Sequence, residues 1–323
     1  MGPRSLGHLA RIAAGCLSTA AAAGPGVNQF EMKDLDSAPG EMQFQSQNAI
    51  SFGQPKRKAV ETAPGQFAFD DNTAAKERYA LEMQMGITTW FRIRLGVEFE
   101  KDRLDDPGLL ARANTFNDLQ LTSVAMEGVL VFVPVKKQGV GFGLLVEFDD
   151  GIRGGGRQLY AGPIIQAVSG PWTGLANLLM VQHFGSPDRF HHQPEDRSVD
   201  FAYALQLQYE VSQTWAVALE GYGTFDRISP AGNQAQTLAW FGRFDQHRAG
   251  PVVYYRCNPG AVAHTVKTGA GGVKGLDKDK DDDDKPGVGV DKETSVSIGV
   301  GLLFGLNDNS PKETLKLSLE YNF

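Results

Sequence analysis

Apolar and polar residues alternate with a period of two in segment after segment of this chain, from about residue 41 to the last residue. No apolar run reaches the roughly 18 residues that a membrane-spanning helix requires. The longest, GVLVFVPV and GLANLLMV, are strand-sized. Any crossing of a bilayer must therefore be made by strands. In RYALEMQM, Tyr79, Leu81, Met83 and Met85 face one way, and Arg78, Glu82 and Gln84 the other. In FRIRLGVEFE the apolar set is Phe91, Ile93, Leu95, Val97 and Phe99, against Arg92, Arg94, Glu98 and Glu100. Such alternation is the signature of a half-buried strand.

Extending this pattern predicts about twelve strands, at 41–53, 78–85, 91–100, 118–132, 139–149, 157–167, 172–184, 200–211, 214–225, 247–256, 294–305 and in the terminal TLKLSLEYNF. The sixth and tenth each contain a proline, which a central strand resists. An even number returns both ends to one side, and short links (86–90, 133–138, 168–171, 212–213) alternate with longer, more polar ones (54–74, 101–117, 150–156, 185–199, 226–246). Two links break the rhythm: 306–313 is short and 257–293 is long.

Aromatic residues sharpen the expectation. Alternate strands end near Phe52, Phe99, Phe148, Phe184, Phe225 and Phe304, all on the apolar parity. Trp90, Trp172, Trp215, Tyr321 and Phe323 gather at the opposite ends. Two aromatic belts around an aliphatic band match the two interfaces of a bilayer. The predicted fold is all-β: a single transmembrane antiparallel up-and-down β-barrel of about 12 strands, in the outer membrane of a Gram-negative cell, with short turns on the periplasmic side.

The first 23 residues, with Arg4 and Arg11 ahead of a small-residue apolar stretch ending at Ala23, read as a cleaved export signal. Too little apolar sequence precedes Cys16 for a lipid-attachment site, and removal of the leader leaves Cys257 without a disulfide partner. Residues 24–40 read as a polar N-terminal linker, 41–323 as the barrel, and 257–293 as a disordered acidic insert in a periplasmic turn. A net charge of −7 argues against a nucleic-acid partner.

The final strand, alternating and ending on Phe323, resembles the C-terminal signature of outer-membrane barrels, which implies recognition by the barrel-insertion machinery. The stretches GPIIQ, GPWTGLANLLMVQHFG, HRAGPVVYYR and GVGLLFGLNDNSPKETLKLSLEYNF resemble a family of proteobacterial outer-membrane barrels similar to exporters or importers encoded near aromatic-compound degradation pathways. The resemblance covers most of 41–323 and departs from the family at the swollen 257–293 link. It implies passage of small solutes, aromatic compounds among them, and brings no functional residues with it.

With the apolar parity in lipid, the polar parity is expected to line the lumen, because a lipid-facing Arg or Lys near mid-membrane costs about 2–4 kcal/mol. That assigns Arg78, Glu82, Arg92, Arg94, Glu98, Glu127, Glu147, His183, Glu210, Glu220 and Glu320 to the interior, with Glu100, Asp149, Gln206, Gln208 and Lys316. A turn centred on Thr88 would pair Met85 with Phe91, setting Glu82 beside Arg94, Arg78 beside Glu98 and Lys76 beside Glu100 as a charge ladder. A lumen of this width is narrow or partly occluded, and its glutamates favour cations or neutral solutes.

The leading function is a channel or facilitator for small solutes, aromatic compounds or cations among them, with outer-membrane lipid as its surroundings. The alternative is a structural or surface-interaction barrel with an occluded lumen. A third reading, a membrane-edge hydrolase, needs a nucleophile and an oriented histidine; His183 is followed by Ser186 and Asp188 but has no evident orienting partner. The adjacent His191 and His192 lack zinc spacing. DKDKDDDDK has Asp282 where a calcium loop needs glycine, so no metal or cofactor is expected.

Overall fold

The computed structural model describes residues 30–53, 59–63, 66–69, 73–104, 118–135, 138–152, 156–184, 199–225, 228, 245–257 and 294–323. These form fourteen strands: β1 (Met42–Phe52), β2 (Ala59–Ala63), β3 (Gln66–Phe69), β4 (Thr73–Thr88), β5 (Phe91–Leu104), β6 (Gln120–Val133), β7 (Gly139–Gly151), β8 (Arg157–Ser169), β9 (Trp172–Phe184), β10 (Val199–Glu210), β11 (Trp215–Phe225), β12 (Gln246–Cys257), β13 (Ser295–Gly305) and β14 (Glu313–Asn322). Twelve make a closed antiparallel meander, sealed where β1 pairs with β14 from Gln43↔Asn322 to Phe52↔Glu313. Closure removes the sheet edges, so every strand can hand its backbone groups to neighbours, the condition for crossing hydrocarbon. The other two strands, β2 and β3, pair with each other in the link read from sequence as a loop at 54–74. The leader at 1–23 and nearly all of the 257–293 insert lie outside the described residues, as do Ser186, Asp188, His191, His192 and the DKDKDDDDK run.

Parity is kept around the wall. Leu81, Met83, Leu95, Met126, Leu205, Leu207, Leu219, Val300 and Leu302 face outward and are exposed, an apolar band that only lipid can satisfy. Phe52, Phe148, Phe184 and Phe304 sit exposed near one rim, and Trp90, Trp172, Trp215, Tyr321 and Phe323 near the other. Trp172 packs on Tyr209 (4.8 Å between centroids) and Trp215 on Tyr255 (4.9 Å), so the belt at the short-turn rim is built from neighbouring strands.

The two proline-bearing strands belong to the barrel, and their sequences explain how. Each carries Ala-Gly-Pro, at 161–163 in β8 and 249–251 in β12. Ladder pairs bracket the Gly-Pro on the following strand: Ala161↔Met180 and Ile164↔Asn177 in one case, Ala249↔Phe304 and Val252↔Gly301 in the other. A Cβ on Gly162 would lie 1.9 Å from the Leu178 carbonyl oxygen, and one on Gly250 1.9 Å from that of Leu302. Proline removes a ladder donor, and the glycine before it admits the neighbouring carbonyl into space a side chain would fill.

The β4–β5 register differs from expectation by two residues. Met85 pairs with Ile93, not Phe91, because Thr88↔Phe91 closes the hairpin over Thr89 and Trp90, with an irregularity between Gly86 and Thr88. Arg94 therefore lies opposite Gln84, and Arg78 opposite Glu100.

Candidate functional site

The lumen is occupied. Residues 30–40, read from sequence as linker, run up the inside of the barrel from the short-turn rim. Gly40 N–H donates to the Gly86 carbonyl (2.7 Å) and the Ser37 hydroxyl to that of Thr88 (2.7 Å), fixing the lower end beside the β4–β5 turn. Gly86 is required there, since a Cβ would meet the Ala38 oxygen at 2.0 Å. Above this, wall side chains take up the backbone of the segment. Arg92 donates to the carbonyls of Asp36 (2.6 Å) and Asp34 (2.8 Å), and Leu35 N–H donates to Gln166 Oε1 (2.9 Å). Asn177 bonds both the N–H and the carbonyl of Lys33, and the Tyr222 hydroxyl oxygen lies 2.6 Å from the Phe30 carbonyl oxygen. Buried peptide groups need partners, and here side chains replace a neighbouring strand.

Side chains of the segment are held as firmly. Leu35 packs in a cluster with Val129, Val131, Leu145, Ile164 and Leu175. Phe30 packs in a second, with Ala49, Ala80, Ala218, Val252 and Leu303. Burying each of these two side chains stabilises by about 1.5–3 kcal/mol. Between them sits an ionic knot. Lys33 Nζ pairs with Glu31 and with Glu127 (2.7 Å), while Arg94 pairs with Glu31 and with Glu82 (2.8 Å) and lies 3.8 Å from Glu127. All five side chains are buried, and Arg92 adds a pair to Asp34 at 2.5 Å.

The other residues singled out from sequence also lie on the inward parity, in separate groups. Arg78 and Lys76 both bind Glu100 (2.8 Å each) near the long-loop rim, with Glu98 between Ala80 and Ser123. Glu220 is the centre of a buried cluster, accepting from Lys316 (2.7 Å), Gln206 (2.8 Å), Tyr222 (2.5 Å) and Tyr254. Glu320 accepts from Gln45 (3.0 Å), and Glu147 lines a small cavity with Lys33, Leu145, Tyr160 and Asn177. Glu210 pairs with Arg256 (2.8 Å) at the open short-turn rim. His183 does have an orienting carboxylate, Asp200 at 2.6 Å, which the sequence reading missed because 17 residues separate them.

Two expectations about the lumen need correction. Its inner face is not uniformly polar: Val129, Val131, Leu145, Ile164, Leu175 and Val181 point inward from β6 to β9. The mildly acidic lining expected from the glutamates is offset at this level, because Lys33 enters from the segment and pairs with Glu127. Asn177, Gln166, Tyr222 and the segment itself went unrecognised. The available signal was β6–β9, where both parities are apolar; a barrel wall needs an apolar inner face only if something packs against it.

Comparison with solved structures agrees with the architecture. An outer-membrane channel from Pseudomonas putida F1 superposes with a TM-score of 0.57 at 12% identity, over 90% of this chain and 98% of that one. The NanC porin gives 0.43 at 8% identity, over 87% and 98%. The first likeness is one of fold, and the second is too distant to carry an argument. No family model and no curated protein matches the sequence. The chain is a 12-stranded transmembrane barrel of the outer-membrane type.

Proposed function

We propose that this barrel is an outer-membrane facilitator for small, partly apolar solutes, closed at rest by residues 30–40 and opened when that segment withdraws. The observation that carries the reading is how the segment is held. Above the Gly40–Gly86 backbone bond that fixes its lower end, its contacts with the wall are side-chain hydrogen bonds, ion pairs and two apolar anchors, with no strand pairing, so it can leave without opening the barrel ladder. Withdrawal would expose an inner wall with two apolar patches, one along β6–β9 and one around Ala49, Ala80, Val252 and Leu303, with charged groups between them. Such a lining suits an amphipathic or aromatic solute better than a fully hydrated ion. Short turns would face the periplasm.

A structural barrel with a permanently blocked lumen is the second reading, favoured by the depth at which the five charged groups are buried. Deleting residues 30–40 and recording conductance in planar bilayers separates the two. Discrete openings in the deleted protein, rare in the parent, support the facilitator. A heat-modifiable, folded barrel that stays silent would remove it.

A further inference from the structure

Resting on that reading of the lumen, we propose that the chamber holding Phe30 is a binding site for aryl carboxylates, a ring of benzoate size bearing an anionic group, with Phe30 as the chain's own occupant. The Phe30 ring stands edge-on to Tyr222, with centroids 5.3 Å apart and planes at 75°. The cluster around it is rich in alanine, with Ala49 from β1, Ala80 from β4, Ala204 from β10 and Ala218 from β11. Small side chains converging from two neighbouring pairs of strands, β1 with β4 and β10 with β11, leave a ring-sized space that one aromatic group fills.

Beside that ring sits a cation whose surroundings differ from those of other buried cations in the lumen. The Arg248 guanidinium stacks over the face of the Phe30 ring, 5.0 Å from its centroid, and is only 5% exposed, so the internal ring is itself one of its neutral partners. Lys33, Arg92, Arg94 and Lys316 each have a carboxylate within 4.0 Å. Among the described residues Arg248 has none. Its terminal nitrogens reach neutral oxygens, Gln246 Oε1 at 2.7 Å, Thr314 Oγ1 at 3.4 Å and Ser51 Oγ at 3.5 Å, and its Nε–H has no acceptor. Arg78 adds repulsion of like sign.

A buried guanidinium with neutral partners and an unused donor is costly, and the group that satisfies it best is a planar carboxylate taken by two parallel N–H donors. Ring and anion requirements meet at one place. Neutral aromatics lack the charge and aliphatic acids lack the ring, so neither satisfies both halves of the site.

Calorimetric titration of the full chain in detergent tests this with benzoate, benzyl alcohol and acetate as probes. Removing the internal ring with Phe30→Ala should tighten benzoate binding by about tenfold or more, because the competent state is no longer occupied by the chain itself. In that background benzoate should bind ahead of benzyl alcohol and acetate, and adding Arg248→Gln should abolish the preference over benzyl alcohol. Equal affinity for benzoate and benzyl alcohol in Phe30→Ala, or a preference that survives Arg248→Gln, overturns the site. Heat-modifiable mobility checks folding, and should Phe30→Ala fail to fold, the smaller Phe30→Val should tighten benzoate binding in the same direction by a lesser factor, with the same dependence on Arg248. Conductance in the same variants keeps the two readings apart. Openings without benzoate binding leave the passage and remove this site, whereas binding without openings leaves the site and removes the passage.

Discussion

Asn177 holds Lys33 by both faces of its backbone. Lys33 N–H donates to Asn177 Oδ1 at 2.8 Å, and Asn177 Nδ2–H donates to the Lys33 carbonyl at 2.8 Å. A single carboxamide on β9 thus does for the lumen segment what a paired strand would do, 144 residues away in sequence.

Asn177→Ala leaves that N–H and carbonyl without partners in a site where Asn177 is only 1% exposed. Two lost buried hydrogen bonds weaken seating by about 2–4 kcal/mol. The expected outcome is a higher open probability in bilayers and faster protease cleavage within residues 30–40, with barrel mobility on gels unchanged. Unaltered cleavage would show that the segment is held by its anchors alone.

Arg94 and Arg157 both form ion pairs, yet they should respond differently to replacement by methionine. Arg94 sits among Glu31, Glu82 and Glu127 at 5% side-chain exposure, whereas Arg157 pairs with Asp150 at 65% exposure. Arg94→Met strands buried carboxylates and should cost about 3–5 kcal/mol. Arg157→Met should cost about 0–1 kcal/mol. Urea unfolding in lipid vesicles measures both, and similar costs would contradict the burial argument.

Glycine replacement offers a test of the Ala-Gly-Pro device. Gly162→Ala and Gly250→Ala each drive a Cβ into a neighbouring carbonyl oxygen at 1.9 Å, while Gly174→Ala meets nothing within 4 Å. The first two should destabilise by about 1–3 kcal/mol through strand displacement. The third should be close to neutral in the same unfolding assay.

Closure should also depend on pH through Asp36, at the lower end of the segment. Its carboxyl is pushed up to about 6, from 3.8, chiefly by the neighbouring Asp34 carboxylate. A withdrawn segment returns Asp36 to its ordinary value, so the seated state binds more protons between these limits. Seating is therefore strongest below about pH 4 and weakens as pH rises towards 6, then stays level. Open probability should climb across that window, and Asp36→Asn should flatten the climb. A rise confined to pH above 7 would exclude this group.

Much of this protein is fixed by local chemistry that a sequence carries openly. Leu81, Met83 and Met85 alternate with Glu82 and Gln84 because one face meets lipid, and that outward constraint recurs around the barrel, so the number of barrel strands and the aromatic belts could be read from period and parity. The lumen segment obeyed no such repeated rule. Glu31, Lys33 and Leu35 form a mixed polar stretch whose partners, Arg94, Glu127 and Asn177, lie on strands that meet only once the barrel closes. Register between β4 and β5 was hidden for a smaller reason: one irregularity between Gly86 and Thr88 shifts the pairings above it. Sequence alone determined what each strand shows to the bilayer, since a uniform solvent acts on each residue independently. Only the tertiary structure decided what fills the interior, because that depends on which distant side chains converge on one narrow space, and convergence leaves no periodic trace.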